Sequence, residues 1–245
     1  MSNFLTGAFD SVRRGARDAA RRALPQRCEL CAAASGAHLL CDGCLRSLPR
    51  LGPTCPVCAL PTGAGEVCGH CLTNPPPFDA TVAAFSYAFP VDRLLHAFKY
   101  HGRLALAEWG ANAILSERGR HSGVYLPDRL VALPLAPERQ RERGYNQAFE
   151  IARAIGQVLR LPLLRKGVNR VRAALPQTAL PWNERARNVR DAFTCDLDLA
   201  GLNVAVIDDV MTTGASLAEF ARTLHKSGAA RVQNWVVART LPPRD

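Results

Sequence analysis

The chain has 245 residues, is 48% hydrophobic and 21% charged, and carries a formal net charge of +10. That length buries a sizeable core in one or two domains, and no apolar run approaches the ~20 residues that a membrane-spanning helix requires. The surplus of Lys and Arg suits polyanionic partners, nucleotides and DNA among them, and by itself excludes little.

Residues 1 to 27 combine Arg13, Arg14, Arg17, Arg21, Arg22 and Arg27 with loosely spaced Phe4, Leu5, Val12, Ala16, Ala19, Ala20, Ala23 and Leu24. This reads as a basic amphipathic helix leading into the next domain; a transit-like or membrane-surface helix is the competing reading. The apolar centre of a secretory signal is missing, so a cytoplasmic location is expected.

Four C-x-x-C pairs follow: Cys28/Cys31, Cys41/Cys44, Cys55/Cys58 and Cys68/Cys71. The last four cysteines repeat the first four at an offset of 27 positions, with nine residues between the pairs of each repeat. A C-x-x-C turn aims two sulfurs at one tetrahedral ion, so each repeat completes a four-cysteine zinc site. Loops this rich in Gly and poor in apolar residues need the metal to hold them. Disulfides would need an oxidising compartment, and iron–sulfur proteins commonly group their cysteines differently. Pairing within each repeat is expected, with a cross-braced arrangement using the same residues as the alternative. His38 and His70 read as surface histidines, and Cys195 as a partnerless strand residue. Asn74-Pro75-Pro76-Pro77 is a stiff connector, which gives a double zinc ribbon over 28–77 and a second domain over 78–245.

In that second domain Asp79 to Phe89 reads as a strand. Pro90 to Tyr100 reads as a short helix with Val91, Leu94, Leu95 and Phe98 inward, and Leu104 to about Glu117 as another helix. Lys99, in the last turn of the first helix, either faces a phosphate or simply suits a helix C-terminus. Leu130 to Leu133 is a buried strand, followed by PLAPERQRERGYNQ. Here Arg139, Arg141, Arg143 and Gly144 lie in an expected loop, ahead of Asn146 as a helix N-cap. Three guanidiniums there make an anion site, or else a solvated basic loop neutralised by Glu138 and Glu142. Asn169 to Phe193 is polar and Arg-rich, and reads as a mobile loop with a short helix. In it Arg170, Arg172, Gln177, Thr178, Arg185 and Asn188 are candidates to close over a ligand. Arg231 to Arg239 supplies a last strand, and the alternation of strands and helices predicts an α/β fold with a parallel, doubly wound sheet.

The stretch Val204 to Ser216, VAVIDDVMTTGAS, organises the rest. A buried strand ends at Ile207, two acids follow, and Thr212-Thr213-Gly214-Ala215-Ser216 opens a helix running to Ser227-Gly228. A helix N-terminus with free amides and nearby hydroxyls suits a phosphate monoester, and Gly214 lets the backbone come close. Two carboxylates beside an anion site make sense if the ligand also donates hydroxyls, as a sugar phosphate does.

This stretch resembles the phosphoribosyl-diphosphate (PRPP) signature of type I phosphoribosyltransferases. With the eight cysteines, the P-L-x-x-x-R-x-x-x-R-G-Y-N-Q segment at Pro134 to Gln147 and the R-x-R-x-x-x-x-Q-T segment from Arg170 to Thr178, the chain resembles the ComF (ComF/GntX) family over about residues 28 to 240. The resemblance implies a zinc-ribbon module ahead of a type I phosphoribosyltransferase fold, in proteins tied to DNA uptake during natural transformation. It implies that Thr212, Thr213, Gly214, Ala215 and Ser216 hold the 5-phosphate, that Asp208 and Asp209 take the ribose hydroxyls, and that Met211 belongs to the same PRPP-binding set. Arg139, Arg143 and Gly144 would form the pyrophosphate loop, with Arg170, Arg172, Gln177 and Arg185 on the closing loop and Asp208, Asp209 and Arg143 carrying catalysis. The implied cofactors are two structural zinc ions and Mg2+. The implied partners are PRPP and a base or amine acceptor, with single-stranded DNA or the competence machinery as a further partner. Three activities compete: phosphoribosyl transfer, PRPP-dependent regulation without turnover, and handling of single-stranded DNA.

Overall fold

The computed structural model describes residues 26–120, 124–171 and 189–242. Most of the N-terminal basic segment, and Arg172, Gln177, Thr178, Arg185 and Asn188 of the expected closing loop, lie outside the described residues. The chain divides into two compact units, Met1–Leu48 and Pro49–Asp245. The division falls between the two cysteine repeats.

The first unit holds an antiparallel pair of short strands, β1 (Gln26–Arg27) and β2 (Ala34–Gly36), and a one-turn helix, α1 (Asp42–Arg46). The 27-residue offset seen in the cysteines extends to the backbone. In the first repeat Ala32 has a left-handed φ of 59° and its amide donates to Cys28 O; in the second, Ala59 has φ 56° and donates to Cys55 O. Helix α2 (Gly69–Thr73) stands in the second repeat where α1 stands in the first. The two repeats are therefore copies in conformation as well as in spacing.

In the second unit the core is a five-stranded sheet in the order β3 (Ala80–Ser86), β9 (Arg231–Arg239), β8 (Asn203–Met211), β4 (Arg129–Ala132), β5 (Leu163–Leu164). Every neighbouring pair is parallel, as the near-continuous apolar runs of β8 and β9 require of strands covered on both faces. Helices α4 (Leu106–Arg118) and α6 (Gln147–Leu159) pack on one face, and α7 (Ala215–Lys226) on the other. On the α7 face Phe220 and Leu224 meet Val204, Val206, Val232 and Val236. Opposite, a Cβ at Gly110 of α4 would come within 2.9 Å of Val237 Cγ2 and 3.7 Å of Ile151, so the absence of a side chain sets how closely α4 approaches the sheet. Helix α3 (Val91–Tyr100) buries Val91, Leu94, Leu95 and Phe98, the inner face expected from their spacing.

The edge strand β3 presents unpaired backbone groups, a hazard that sheets normally cover. The segment leading through the second cysteine repeat does so: Thr81 N donates to Pro56 O at 2.9 Å and Ser86 N to Pro49 O at 2.8 Å. Ala59 joins the apolar cluster beside Phe78 and Ala83. A separate antiparallel pair, β6 (Val168–Arg170) with β7 (Phe193–Cys195), closes the base of the Arg-rich segment, and Cys195 is half-buried there.

One local expectation is corrected. Pro137–Arg143 is a short helix, α5, not a loop. Pro137 at its first turn supplies a preset φ, Arg141 sits 3.7 Å from Glu138 one turn earlier, and Gly144 ends it with a left-handed φ of 74°. The N-cap at Asn146 forms as expected, its side chain accepting from Phe149 N at 3.4 Å.

Candidate functional site

Strand β8 creates the site by losing a neighbour. Its ladder to β4 ends at Ala132↔Ile207, whereas its ladder to β9 continues to Met211↔Arg239. Asp208 to Met211 are thus held on one side only, at the carboxyl edge where open α/β sheets bind ligands. A cavity of about 560 Å³ opens there. Asp208, Asp209, Met211, Thr212, Gly214, Ala215 and Ser216 line it from β8 and the turn, and Arg139 and Arg143 from α5. Arg170 lines it from β6, and Lys99 and Tyr100 from α3.

Turn and helix are joined by Gly214, whose φ of 81° makes it the left-handed N-cap of α7. Thr213 is not among the lining residues; its Oγ1 accepts from Ala215 N at 3.2 Å and so shapes the turn from behind. Met211 is buried, with its methyl under Gly214. Gly144 likewise acts by ending α5 rather than by lining the cavity.

The two acids differ in environment. Asp209 pairs with Lys99 Nζ at 2.8 Å, the two side chains 11% and 19% exposed. Asp208 Oδ1 accepts from Asp209 N at 2.8 Å. Its carboxyl is held well above the usual carboxylate range, by burial first and by the charge of Asp209 second. For Lys99 burial works against the charge, but Asp209 and then Asp208 outweigh it and raise its proton affinity. Among the described residues, Lys99, Arg139, Arg143 and Arg170 set four cations against the acid pair, in which Asp209 carries the charge and Asp208 holds its proton, a surplus suited to an anion that also offers hydroxyls.

Arg143 Nη1 donates to Gln147 Oε1 at 3.1 Å, and its guanidinium lies 5.3 Å from the Tyr100 ring centre. Arg170 stacks 5.3 Å from Phe193; burial and then the neighbouring Arg139 push its proton affinity down, and Asp208 pulls it back up. Arg141 points away, its side chain 76% exposed. Sequence reasoning weighed Lys99 but passed over Tyr87, His96 and Tyr100, which also line the cavity. Tyr87 follows directly on β3, so the carboxyl-edge rule applied to that strand would have found it.

The cysteines converge as two sets, Cys28, Cys31, Cys41, Cys44 and Cys55, Cys58, Cys68, Cys71, the sulfurs of each within 4.8 Å of one another. This is the pairing within repeats, not the cross-braced one. Cys31 and Cys41 sulfurs are 3.7 Å apart, as are those of Cys58 and Cys68. Four sulfurs at ~2.3 Å from a central zinc ion would be ~3.8 Å from each other, so the geometry fits tetrahedral Zn2+. Burial works to raise Cys28, yet the amides of Cys41, Cys31 and Leu30 hold its thiol down to about 6. Cys55 is held at about 7 in the same way by the amides of Cys68, Cys58 and Val57. Hydrogen bonding with Cys31 and Cys28 pushes Cys44 up to about 12, and burial pushes Cys58 up to about 11. Sulfurs this crowded ionise together only when a cation shares the charge.

Comparison with known proteins agrees with this arrangement. The double zinc ribbon domain model matches residues 19–72. DNA utilization protein YhgH of Salmonella typhimurium is 36% identical over 170 residues, 68% of this chain and 75% of that protein. Competence protein F of Haemophilus influenzae is 31% identical over 171 residues, 67% of this chain and 74% of that protein. Among solved structures, purine phosphoribosyltransferase from Pyrococcus horikoshii aligns over 67% of this chain and 84% of its own, at 18% identity and a TM-score of 0.31. Two four-cysteine zinc-binding sites, a parallel sheet whose strand β8 runs into the VIDDVMTTGAS turn, and the YhgH and competence-protein relatives together place the chain in the ComF family.

Proposed function

We propose that the chain binds PRPP with Mg2+ and transfers its phosphoribosyl group to a nitrogen of a base or amine, releasing pyrophosphate. The observation that carries this reading is the convergence in one cavity of Asp208 and Asp209, the Thr212–Ser216 turn, and Arg139 and Arg143. On this reading the turn amides and the N-terminus of α7 take the 5-phosphate. The ribose hydroxyls hydrogen-bond to the acid pair, Asp209 as carboxylate and Asp208 through its carboxyl oxygens, which fixes the sugar. Arg139 and Arg143, with Arg170 beside them, hold the diphosphate and meet the charge that builds on it as the C1–O bond breaks. The acceptor's lone pair forms the new bond to C1, and the electrons of the broken bond leave with pyrophosphate. Mg2+ would supply positive charge to the departing diphosphate, and no large protein ligand set would be required to hold it beside Asp208 and Asp209. Lys99 balances Asp209 and keeps the acid pair from repelling itself while the site fills.

The relatives' names, DNA utilization protein and competence protein, support a role of this chemistry in handling incoming DNA. The chain's charge of +10 supports direct contact with single-stranded DNA as a second reading. The test is to incubate zinc-loaded protein with PRPP, Mg2+ and a panel of bases and amines, following pyrophosphate release. Release with one acceptor supports transfer. Tight PRPP binding without release under any condition assigns the site to regulation instead.

A further inference from the structure

Arg239 ends the last strand, where the sequence offered no reason to single it out. Its side chain is buried, the residue being 2% exposed. A guanidinium taken out of water must have its donors met, and the acceptors here come from two places far apart in the chain. Nε donates to Cys58 O at 2.9 Å. Nη1 donates to Met211 O at 3.2 Å, to Thr212 O, and to Thr240 O at 2.9 Å. One acceptor therefore belongs to a zinc-ligand residue of the second cysteine set, and two belong to the peptides that lead into the Thr212–Ser216 turn.

We propose that Arg239 is a positioning residue that makes the conformation of the phosphate-binding turn depend on metal in the Cys55–Cys58–Cys68–Cys71 set. The Cys58 carbonyl sits in the knuckle that the metal closes: Cys55 N donates to Leu60 O at 2.8 Å and Ala59 N to Cys55 O at 2.9 Å, with Ala59 in a left-handed conformation. Its direction is thus set by the same fold that gathers the four sulfurs. A zinc ion with four thiolates carries two net negative charges, which gives the buried guanidinium a counter-ion. At the other end, fixing the Met211 and Thr212 carbonyls fixes the peptide planes whose amides enter the turn. The backbone of the same residue accepts from Tyr87 N at 2.8 Å, and the next amide, Thr240 N, donates to Met211 O at 2.9 Å. This link rests on the reading of the turn as an anion site for its functional meaning, but not for its existence. Coupling of this kind is reciprocal, so a ligand on the turn must also retain the metal.

The test is hydrogen exchange at the amides bonded into this junction, Ala215 N to Thr213 Oγ1 and Thr240 N to Met211 O, in the full chain, with zinc bound and after chelation, for the wild type and for Arg239→Lys. Lysine keeps the charge but lacks the fork that spans both sets of carbonyls. In the wild type, exchange rises about tenfold when zinc is removed, the scale of losing hydrogen bonds to a charged group. In Arg239→Lys it is already high with zinc bound and changes little on chelation. Unchanged exchange in the wild type after zinc removal overturns the proposal, as does an equal response to zinc in both proteins. Should the variant fail to fold, the wild-type comparison alone still decides. Calorimetry with PRPP and Mg2+ is run alongside: no heat there defeats the PRPP reading, while the exchange result, obtained without ligand, still judges Arg239.

Discussion

Asp208 carries the sharpest expectation of any single residue. Its carboxyl is raised to about 8, by burial and then by Asp209. The folded chain therefore binds a proton there that the unfolded chain has already released, between the ordinary carboxylate range and about 8, and the contribution to stability falls as pH rises through that window. Asp208→Asn abolishes this dependence. Its melting temperature should match the wild type at about pH 5 and exceed it by about 3 °C at about pH 9. A difference that stays flat over that range contradicts the assignment. At Gly214, a φ of 81° makes any side chain strained by about 1–2 kcal/mol. The new Cβ would meet Met211 Cε at 2.6 Å, a flexible tip that can swing aside. Gly214→Ala should therefore still fold, melt a few degrees lower, and bind PRPP about tenfold more weakly; unchanged binding by calorimetry would remove the turn from the site. The motif residues were legible because they are contiguous, strand, acids and turn in one reading. Tyr100 and Arg239 were not, nor was the pairing of Lys99 with Asp209, since only the fold brings these side chains to Arg143, the turn and the acid pair.

Among the elements, α5 separates the arginines by direction. The sequence set Arg139, Arg141 and Arg143 on equal terms; a helix cannot, because its turns send them to different sides. Arg139 and Arg143 face the cavity while Arg141 pairs with Glu138 in solvent. Arg139→Ala and Arg143→Ala should each weaken pyrophosphate binding about tenfold, the loss of one charge-assisted contact, whereas Arg141→Ala leaves it within about twofold. An equal loss in all three would restore the basic-loop reading. Helix α4 offers a packing test. A methyl at Gly110 meets Val237 Cγ2 at 2.9 Å inside the core, so Gly110→Ala should cost about 1–3 kcal/mol in denaturant unfolding with no loss of zinc. Strands β3, β4, β8 and β9 and helices α3, α4, α6 and α7 were readable from apolar spacing; β8 runs past the expected end at Ile207 to Met211 because β9 still pairs with it there, and β5 and the β6–β7 pairing left no such signal. The loop expected at 137–143 became a helix because Pro137, the Glu138–Arg141 pair and Gly144 act together locally.

At the scale of the molecule, the second compact unit holds both the cavity and one of the two cysteine sets, and the segment that carries that set covers the edge strand of the sheet. The double repeat was legible from spacing, while the choice between pairing within repeats and the cross-braced arrangement was not, since both use the same residues. That its second copy would be hydrogen-bonded to β3 and to Arg239 was not, since backbone acceptors such as Pro56 O and Cys58 O leave no mark in a sequence. The most direct test of the account is calorimetric titration of PRPP with Mg2+ into zinc-loaded full-length protein. It should show saturable binding at one site per chain that weakens about a hundredfold in the Asp208→Asn, Asp209→Asn double variant, the scale of losing charged hydrogen-bond acceptors. No heat from the wild type, or equal affinity in the double variant, would contradict it.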